Sequence, residues 1–359
     1  MTIMPSEPPL NNSATHPWPG LLVCAAIAAL AGVLAALLQQ LPETVPTVPA
    51  SPMVLAILAG LALAGVAAGR PSWQPGLEKA RGIFLKTAVA LIGLRLSLVE
   101  LGLLGGRALP LVVLVVVSGL ALTYWLVRGA GGNRHLAGLL GVGTAICGAS
   151  AIAALTPALK ARPQETAYAI ACVALVGLLA TLLYPFLLPQ LVHDPIAVGL
   201  IMGAAIHDTA QVTAAATAHE QLWQLDGTLN AATVTKLIRN FSMVLVIPLL
   251  AWMLSEPGSR MRYVPVPLFI LAFLALSVVR SAGDAALGAD HAAWQDLIAV
   301  AGQISQFLFA MAMAAIAMGI RFTQLQALGW KPAAAALAAA LAVLVIAVGW
   351  VHFVSPSAL

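Results

Sequence analysis

The segment that decides the fold reads GAAIHDTAQVT and covers residues 203–213. It lies at the middle of an apolar run over about 196–217, where a helix that simply crosses a membrane would be apolar. His207 and Asp208 are ionisable, and a charged carboxylate inside a membrane costs at least about 2.5–3.5 kcal/mol on insertion scales. Such residues persist at this depth only with a partner or a purpose. The segment therefore predicts a broken or re-entrant helix, with a site at the break.

A second segment of the same kind, GVGTAICGAS at residues 141–150, interrupts an apolar run over about 136–158. Residues 143–150 are echoed by residues 203–210, and each copy is followed by a helix that contains proline near its end. Repeats of opposite orientation, with polar breaks near the membrane midplane, are the recurring plan of secondary transporters. The echo therefore predicts inverted repeats.

Another echo lies outside the two breaks. Gly93–Ser97 recurs as Gly319–Thr323. Each copy precedes a predicted loop that contains glycine, a basic residue and proline, at Gly106–Pro110 and at Gly329–Pro332. In the topology derived below, both pairs of echoes take opposite orientations.

The composition assigns the chain to the membrane. Its 359 residues are 61% hydrophobic and 8% charged, and the mean hydropathy is +0.97, whereas a soluble domain carries about a quarter charged residues. Backbone groups in hydrocarbon must be satisfied internally, so the apolar runs are helices. We expect an all-α polytopic membrane protein with about 9–11 transmembrane helices, a disordered tail over residues 1–18 and one integral membrane domain over residues 19–355. The apolar runs lie at about 20–41, 53–69, 82–103, 109–127, 136–158, 166–188, 196–217, 230–254, 265–280, 297–320 and 333–353.

The distribution of Lys and Arg favours one topology, in which each interrupted run enters and leaves on the same side. Nine helices then cross the membrane, the N-terminus is cytoplasmic, and Arg107 and Arg280 sit in outside loops. Interrupted helices that cross the membrane fully are the alternative. The basic residues expected on the cytoplasmic side are Arg70, Lys79, Arg81, Arg128, Arg134, Lys160, Arg162, Arg260, Arg262 and Lys331.

The second break carries groups that could couple transport to an ion. Asp208 is the simplest proton-coupling group, because a carboxylate can change its protonation state, and His207 can share that task. The alternative is a buried pair between Asp208 and a basic residue that only fixes helix packing. Thr209 and Gln211 offer hydrogen bonds to a ligand, and local backbone capping is the equally good alternative.

Lys236, Arg239 and Asn240 are spaced i, i+3 and i+4, so they share one face of a helix. Two cations on one membrane-embedded face indicate either a partner for Asp208 or a seat for an anion. Arginine suits oxyanions because its fork donates two parallel hydrogen bonds. Snorkelling of one or both side chains to the interface is the alternative. Arg95 lies deep in its apolar run and is a further candidate for binding an anion.

The break at residues 143–150 offers backbone amides and small hydroxyl groups. A helix N-terminus freed at such a break favours an anion. No catalytic arrangement accompanies Cys147, and all three cysteines, Cys24, Cys147 and Cys172, are expected to be free and buried. The candidate substrate-binding residues of this break are Gly143, Thr144, Cys147, Gly148 and Ser150.

Several motifs are absent from the sequence. It contains no P-loop, no His-Glu-x-x-His zinc motif and no Asp-rich diphosphate-binding cluster. These absences disfavour an ATP-driven pump and the common intramembrane enzymes, and no cofactor or metal is expected. The basic residues are scattered, so they form no nucleic-acid footprint.

Four segments resemble the bacterial inner-membrane family labelled YeiH-type (UPF0324), or sulfate exporters. They are Leu85-Lys86 with Ala90–Ser97, Gly143–Ala154, Gly203–Gln211 and Thr233–Asn240. The resemblance covers most of the chain from about residue 20 to 350. It implies broken helices and inverted repeats similar to those of the cation:proton antiporter and anion transporter group. It also implies export of sulfate or a related sulfur oxyanion.

Residues and resemblance together predict a secondary active transporter in the bacterial inner membrane. It exports a small inorganic or organic anion, coupled to protons or to a cation such as Na⁺. Arg239, Lys236 and residues 143–150 bind the anion, and Asp208 with His207 couples its transport. The alternatives are a cation:proton antiporter in which Asp208 binds the ion directly, a passive anion channel, and a membrane-embedded enzyme. A homodimer is compatible with such a fold.

Overall fold

The computed structural model describes residues 16–39, 51–254, 268–320 and 328–354. Residues 1–15 of the predicted tail lie outside these ranges. Every regular element within them is helical, as the composition predicts. The helices are α1 (Trp18–Gln39), α2 (Pro52–Ala62), α3 (Ala64–Ala68), α4 (Gln74–Lys79), α5 (Leu85–Ile92), α6 (Leu98–Gly129), α7 (Arg134–Val142), α8 (Ala149–Leu159), α9 (Pro163–Leu187), α10 (Pro195–Ala205), α11 (Thr209–Trp223), α12 (Thr228–Phe241), α13 (Met243–Leu254), α14 (Leu268–Leu287), α15 (Ala292–Met318) and α16 (Trp330–Val354).

Seven described helices are long and apolar enough to cross a membrane, judged by length and composition. They are α1, α6, α9, α14, α15, α16 and the nearly continuous α12–α13. Two further crossings consist of shorter pieces: α2 with α3, and α4 with α5, which a π-helical turn at Ala80–Phe84 joins. Gly20 at the start of α1 lies against Gly76 at the start of α4. Since α1 and α4 start at the same end, α2–α3 must return to it.

The prediction of a loop at Gly106–Pro110 is wrong. α6 runs unbroken from Leu98 to Gly129, with Pro110 inside it. The chain turns earlier, at Leu96 and Ser97, where Ser97 and Glu100 form a capping box that starts α6. Proline is tolerated inside a membrane helix because neighbouring groups satisfy the carbonyl that it leaves free.

α7 and α8 form a hairpin, the first hairpin, that begins and ends at one end of the molecule. Asn133 is the N-cap of α7, and its Nδ2 donates to Glu165 Oε1 in the first turn of α9. Thr156 near the end of α8 shares a hydrogen bond of 3.2 Å with Thr166 of α9. The start of α7 and the end of α8 therefore both lie beside the start of α9. The re-entrant course is the one that the charge distribution predicts.

α10 and α11 form the second hairpin, which enters from the opposite end. Trp223 Nε1, at the end of α11, donates to Pro185 O near the end of α9 (2.9 Å). His219 of α11 contacts Thr228 at the start of α12 (3.0 Å). Gly199 near the start of α10 packs against the same Thr228. Both ends of this hairpin thus meet where α9 ends and α12 begins.

α12 and α13 run from that end to the other and pass both hairpin tips. Gly203 near the tip of the second hairpin packs against Thr235. Cys147 Sγ at the tip of the first hairpin lies 3.9 Å from Met243 Sδ. The two tips therefore meet midway along α12–α13, and the two hairpins point in opposite directions, as the echo of their sequences predicts.

The described residues thus form nine crossings and two half-membrane hairpins.

We call the end where α1, α4, α7 and α9 begin the basic end. Arg280, predicted to lie in a loop, lies inside α14 near the opposite end and pairs with Asp284 (2.8 Å). Arg107 lies inside α6. Arg260, Arg262 and residues 321–323 of one predicted echo lie outside the described residues. The basic end carries Arg70, Lys79, Arg81, Arg128, Arg134, Lys160, Arg162 and Lys331.

The helices associate in two groups. The scaffold bundle contains α1–α5, α14 and α15, and the hairpin bundle contains α6–α13 and α16. The main contacts between the groups are those of α11 with α2 and α15, and those of α6 with α14. Small residues allow the closest approaches within a bundle: a Cβ at Gly60 of α2 would lie 2.6 Å from Ala314 O of α15. Such small-residue contacts are typical of helix packing in lipid.

Candidate substrate site at the hairpin tips

Glycine breaks the first hairpin. The chain forms a π-helical turn over Gly143–Cys147 and then adopts φ +67° and ψ −128° at Gly148. Only glycine takes this conformation without strain. α8 then starts at Ala149, and its N-cap residue, Gly148, has no side chain to cap it. The backbone N–H groups of Ala149 and Ser150 are consequently without helical partners.

Extended residues break the second hairpin. Ile206 and Asp208 have extended backbone angles, and Asp208 is the N-cap of α11. Asp208 Oδ1 accepts from Ala210 N (2.9 Å), and Gln211 Oε1 accepts from Asp208 N (3.2 Å). Gln211 reaches this position through a notch at Gly177, where an added Cβ would lie 1.9 Å from Gln211 Oε1. Asp208 and Gln211 thus form a capping box, and the Asp208 carboxylate stands at the N-terminus of α11.

Lys236 of α12 bridges the two tips. Its Nζ donates to Ile146 O of the first hairpin (2.8 Å) and to Ile206 O of the second (3.0 Å). It also donates to His207 O. An ammonium group has three hydrogens to donate, so these carbonyl groups account for all of them.

Arg239, one turn further along α12, does the same with its guanidinium group. Its Nε donates to Ala145 O (2.7 Å), its Nη1 to Ala204 O (2.6 Å) and Ile206 O (2.9 Å), and its Nη2 to Thr144 O. Lys236 and Arg239 are both 0% exposed. A buried charge is tolerated when hydrogen bonds replace its solvation. The two cations thus supply hydrogen-bond donors to backbone carbonyl groups at the breaks of both hairpins.

A cavity of about 450 Å³ lies between the two bundles and reaches the tips. Its outer walls come from α5, the preceding π-helical turn, α14 and α15, at positions near the basic end. The cavity therefore opens toward the basic end. The polar or tip residues at its floor are Cys147, Gly148, Ala149, Ser150, Asp208, Thr209, Gln211 and Asn240, and those nearer the mouth are Arg81, Lys86, Phe269 and Gly319.

The floor of the cavity places a carboxylate beside a helix N-terminus. Asp208 is half-buried, and no Lys or Arg nitrogen of the described chain lies within 4.0 Å of its oxygens. Asn240 Nδ2 donates to Thr209 Oγ1 (3.1 Å), while its Oδ1 is buried without a protein partner in the described ranges. The floor thus offers free backbone donors at α8, the Asp208 carboxylate and an unused oxygen at Asn240.

Comparison with known proteins places the chain in a family. A family model described as Conserved hypothetical protein 698 matches residues 19–336. A UPF0324 membrane protein of Listeria monocytogenes is 31% identical over 269 residues, which cover 74% of this chain and 76% of the relative. The chain belongs to the UPF0324 membrane protein family. A UPF0324 protein of Bacillus anthracis is 33% identical over 261 residues, covering 70% of this chain and 72% of the relative. No solved structure matches the chain.

This UPF0324 protein is a multi-pass membrane protein, and its fold brings most of the sequence-predicted site residues together. Cys147, Gly148, Ser150, Thr209, Gln211, Asn240 and Asp208 all line the cavity. The cysteines at positions 24, 147 and 172 are free and buried, as predicted.

Other predicted residues of the UPF0324 chain lie near the tips without lining the cavity. Lys236 and Arg239 lie behind the tips, bound to carbonyl groups. Gly143 packs against Ile152, and Thr144 accepts from Arg239 through its carbonyl oxygen. His207 is 2% exposed, and its Nδ1 has no partner among the described residues.

Arg95 is separate from this site. It ends the α4–α5 crossing at the end opposite the cavity mouth, and its Nη2 lies 3.7 Å from Glu220 Oε2. Sequence reasoning also missed other residues that line the cavity. Lys86 is exposed at the mouth, and Met243 and Phe269 contribute apolar wall. The cationic Lys86 inside an apolar run was the available signal, whereas nothing in the sequence marks the apolar residues as lining.

Proposed function

We propose that this UPF0324 protein is a secondary active transporter that carries a small oxyanion across the bacterial inner membrane and couples it to protons. The observation that supports this best is the cavity floor. There the N-terminus of α8, whose N-cap glycine has no side chain, lies beside a carboxylate that has no basic partner within 4.0 Å in the described chain. A helix N-terminus attracts anions, and a carboxylate in a partly dry site is a natural proton acceptor.

The anion would bind to the backbone N–H groups of Ala149 and Ser150, with the Ser150 hydroxyl and Asn240 as further contacts. Lys86 at the mouth would raise the local anion concentration. The charges of Lys236 and Arg239 lie directly behind the tips, where the low dielectric transmits their potential to the floor. They favour an anion without touching it.

Coupling would arise at Asp208. A charged Asp208 repels an anion bound beside it, and a protonated Asp208 does not, so anion and proton bind together. A divalent anion such as sulfate that leaves with one proton carries one net negative charge outward. An inside-negative potential favours that movement by about 2.3 kcal/mol per 100 mV. The membrane potential therefore favours export of sulfate or a related sulfur oxyanion together with one proton. The family resemblance of the sequence favours the same substrate.

The orientation follows the distribution of charge. The basic end carries the larger number of Lys and Arg residues, and cytoplasmic loops are enriched in both. We place the basic end and the N-terminal helix start on the cytoplasmic side. The cavity then faces the cytoplasm, the side from which an exporter loads its substrate.

The test is flux into proteoliposomes of labelled sulfate, sulfite and a short alkanesulfonate under an imposed pH gradient and membrane potential. We expect one of these anions to accumulate against its gradient. Asp208→Asn should abolish the dependence of the flux on the pH gradient. Asn240→Leu should raise the anion concentration that gives half-maximal flux. The matched control is Glu78→Gln, the same carboxylate-to-amide change at an exposed position of α4. Flux that only dissipates a gradient would identify a passive channel instead.

A cation:proton antiporter is the second candidate, favoured by the Asp208 carboxylate and the unpaired Asn240 Oδ1 at the cavity floor, since hard cations take oxygen ligands. In that case Na⁺ or K⁺ would exchange for protons in an Asp208-dependent manner and none of the anions would move. That result would replace the anion proposal.

A further inference from the structure

Two side-chain contacts join α11 of the hairpin bundle to the scaffold bundle at the end opposite the cavity mouth. Arg95 Nη2 lies 3.7 Å from Glu220 Oε2. Ser51 Oγ donates to Gln221 Oε1 (2.8 Å). Arg95 and Ser51 belong to the scaffold bundle, at the end of α4–α5 and at the start of α2. Glu220 and Gln221 are consecutive residues of α11 in the hairpin bundle.

The environment strengthens both contacts. Ser51 is 0% exposed, and the side chains of Glu220 and Arg95 are 10% and 25% exposed. Glu220 is also fixed in place, because its Oε1 accepts from Gly227 N (3.1 Å) and Leu229 N (2.8 Å) at the start of α12. An ion pair with limited solvent access and one oriented partner is weakened less by water and salt than an exposed pair.

α11 connects these contacts mechanically to the cavity. The helix begins at Thr209, whose predecessor Asp208 stands at the cavity floor, and it reaches Glu220 and Gln221 without interruption. α11 is also the helix of the hairpin bundle that contacts α2 and α15 of the scaffold. A movement of the hairpin bundle that opens the floor toward the opposite end must therefore separate Glu220 and Gln221 from Arg95 and Ser51.

We propose that the contacts Arg95–Glu220 and Ser51–Gln221 form a latch, intact while the cavity opens toward the basic end and broken when it opens toward the opposite end. This inference rests on the proposed function only in requiring that the cavity opens alternately to both ends. The latch sets the balance between the two states and binds no substrate.

The first test measures access to Cys147 at the cavity floor. In a Cys24→Ala/Cys172→Ala background, Cys147 is the single remaining thiol. A membrane-impermeant maleimide is applied to intact cells and to inverted vesicles, and the side from which the background protein reacts faster identifies the basic end. Arg95→Ala and Glu220→Gln should each raise the labelling rate from the other side by about fivefold, the effect of roughly 1 kcal/mol. The glutamine retains an oxygen for Gly227 and Leu229. Unchanged rates from that side in both variants would overturn the proposal.

The second test locks the latch. Ser51→Cys and Gln221→Cys are introduced together in the same background and joined by a short, membrane-impermeant bifunctional methanethiosulfonate, because a cysteine is shorter than the glutamine that it replaces. The reagent is applied only from the side opposite the basic end, from which Cys147 is shielded while the latch is closed. Crosslinking should abolish labelling of Cys147 from the opposite side and leave labelling from the basic end intact, and reduction should reverse the effect. The matched control is Arg280→Cys with Asp284→Cys, treated with the same reagent from the same side, which joins two contacting residues within α14 of the scaffold bundle and should leave both rates unchanged.

These readouts do not depend on the substrate. If the crosslink forms and Cys147 still reacts from the opposite side, the latch is wrong even where anion transport is established. If labelling follows the expected pattern while no anion moves, the latch stands and the substrate proposal fails.

Discussion

Gly148 and Asp208 face each other where the two hairpin tips meet. A Cβ built on Gly148 would lie 3.8 Å from both Cα and Cβ of Asp208. The residue that breaks the first hairpin thus stands in contact distance of the residue that caps α11 in the second. The backbone that supplies free N–H donors and the carboxylate proposed to take the proton consequently form one floor.

Gly148→Ala should destabilise this floor. The added methyl group has room, but the positive φ of +67° strains any residue with a Cβ, and such a conformation costs of order 1–3 kcal/mol. We expect a lower thermal unfolding midpoint in detergent and a loss of anion flux. Gly32→Ala is the control, because nothing lies within 4 Å of its added Cβ in α1. Equal midpoints for the two variants would contradict this account of the break.

Arg239→Lys should lower stability although it keeps the charge. Lysine offers three donors from one atom and cannot span the carbonyl groups of Thr144, Ala145 and Ala204, and each buried carbonyl left unpaired costs about 1–3 kcal/mol. The unfolding midpoint and the yield of folded protein measure the effect. Arg107→Lys at an exposed position of α6 is the same exchange outside the core and should be neutral. A midpoint for Arg239→Lys equal to that of the wild type would show that the carbonyl contacts are dispensable.

Transport should not require sodium. Carbonyl groups of a broken helix can coordinate Na⁺, but here those of Ile146, Ile206 and His207 already accept from Lys236. We expect proton-driven flux to be unchanged when choline replaces Na⁺ on both sides of the proteoliposome membrane. A strict requirement for Na⁺ would show that another set of oxygens, such as those of Asp208 and Asn240, holds a coupling cation.

Gly203→Ala should separate α10 from α12. An added Cβ would lie 2.5 Å from Ala232 O and 2.6 Å from Thr235 Cβ, and backbone cannot yield as a flexible side chain does. Since Arg239 binds carbonyl groups of the same turn, the shift should also weaken the joint between the hairpins. We expect a lower unfolding midpoint than for Gly102→Ala, whose added Cβ meets nothing within 4 Å. Identical midpoints would mean that the close approach is not stabilising.

The sequence predicted the two re-entrant hairpins because polar residues are rare in lipid. His207 and Asp208 marked the second break, glycines marked the first, and the Lys and Arg distribution gave both hairpins a re-entrant course. These signals are strong because the membrane leaves few alternatives for a buried polar group or a loop charge.

The error at Arg95 has a local cause. The apolar run over about 82–103 placed Arg95 near its centre, and hence deep in the membrane. The helix actually ends there, because Ser97 and Glu100 cap the next helix. Hydropathy does not register a turn made of apolar residues, whereas the Ser-x-x-Glu signature does. That signature was present in the sequence and would have corrected the depth of Arg95.

The hydrogen-bond partners of Lys236 and Arg239 could not be predicted from the sequence, for a different reason. Spacing correctly put both on one helix face, but backbone carbonyl groups carry no sequence signature. Which carbonyl groups a cation meets depends on where two distant hairpins end. The same holds for Met243 and Phe269, since apolar residues that line a cavity look like those that face lipid.

The dependence of both hairpin tips on Lys236 and Arg239 bears on how the chain is assembled. Synthesis runs from the N-terminus, so both hairpins leave the ribosome before the cations of α12 exist. Until residue 239 emerges, the carbonyl groups at both breaks lack the hydrogen-bond donors that Lys236 and Arg239 supply in the finished protein. A nascent chain that stops before α12 holds two unfinished elements, and one later helix completes both at once.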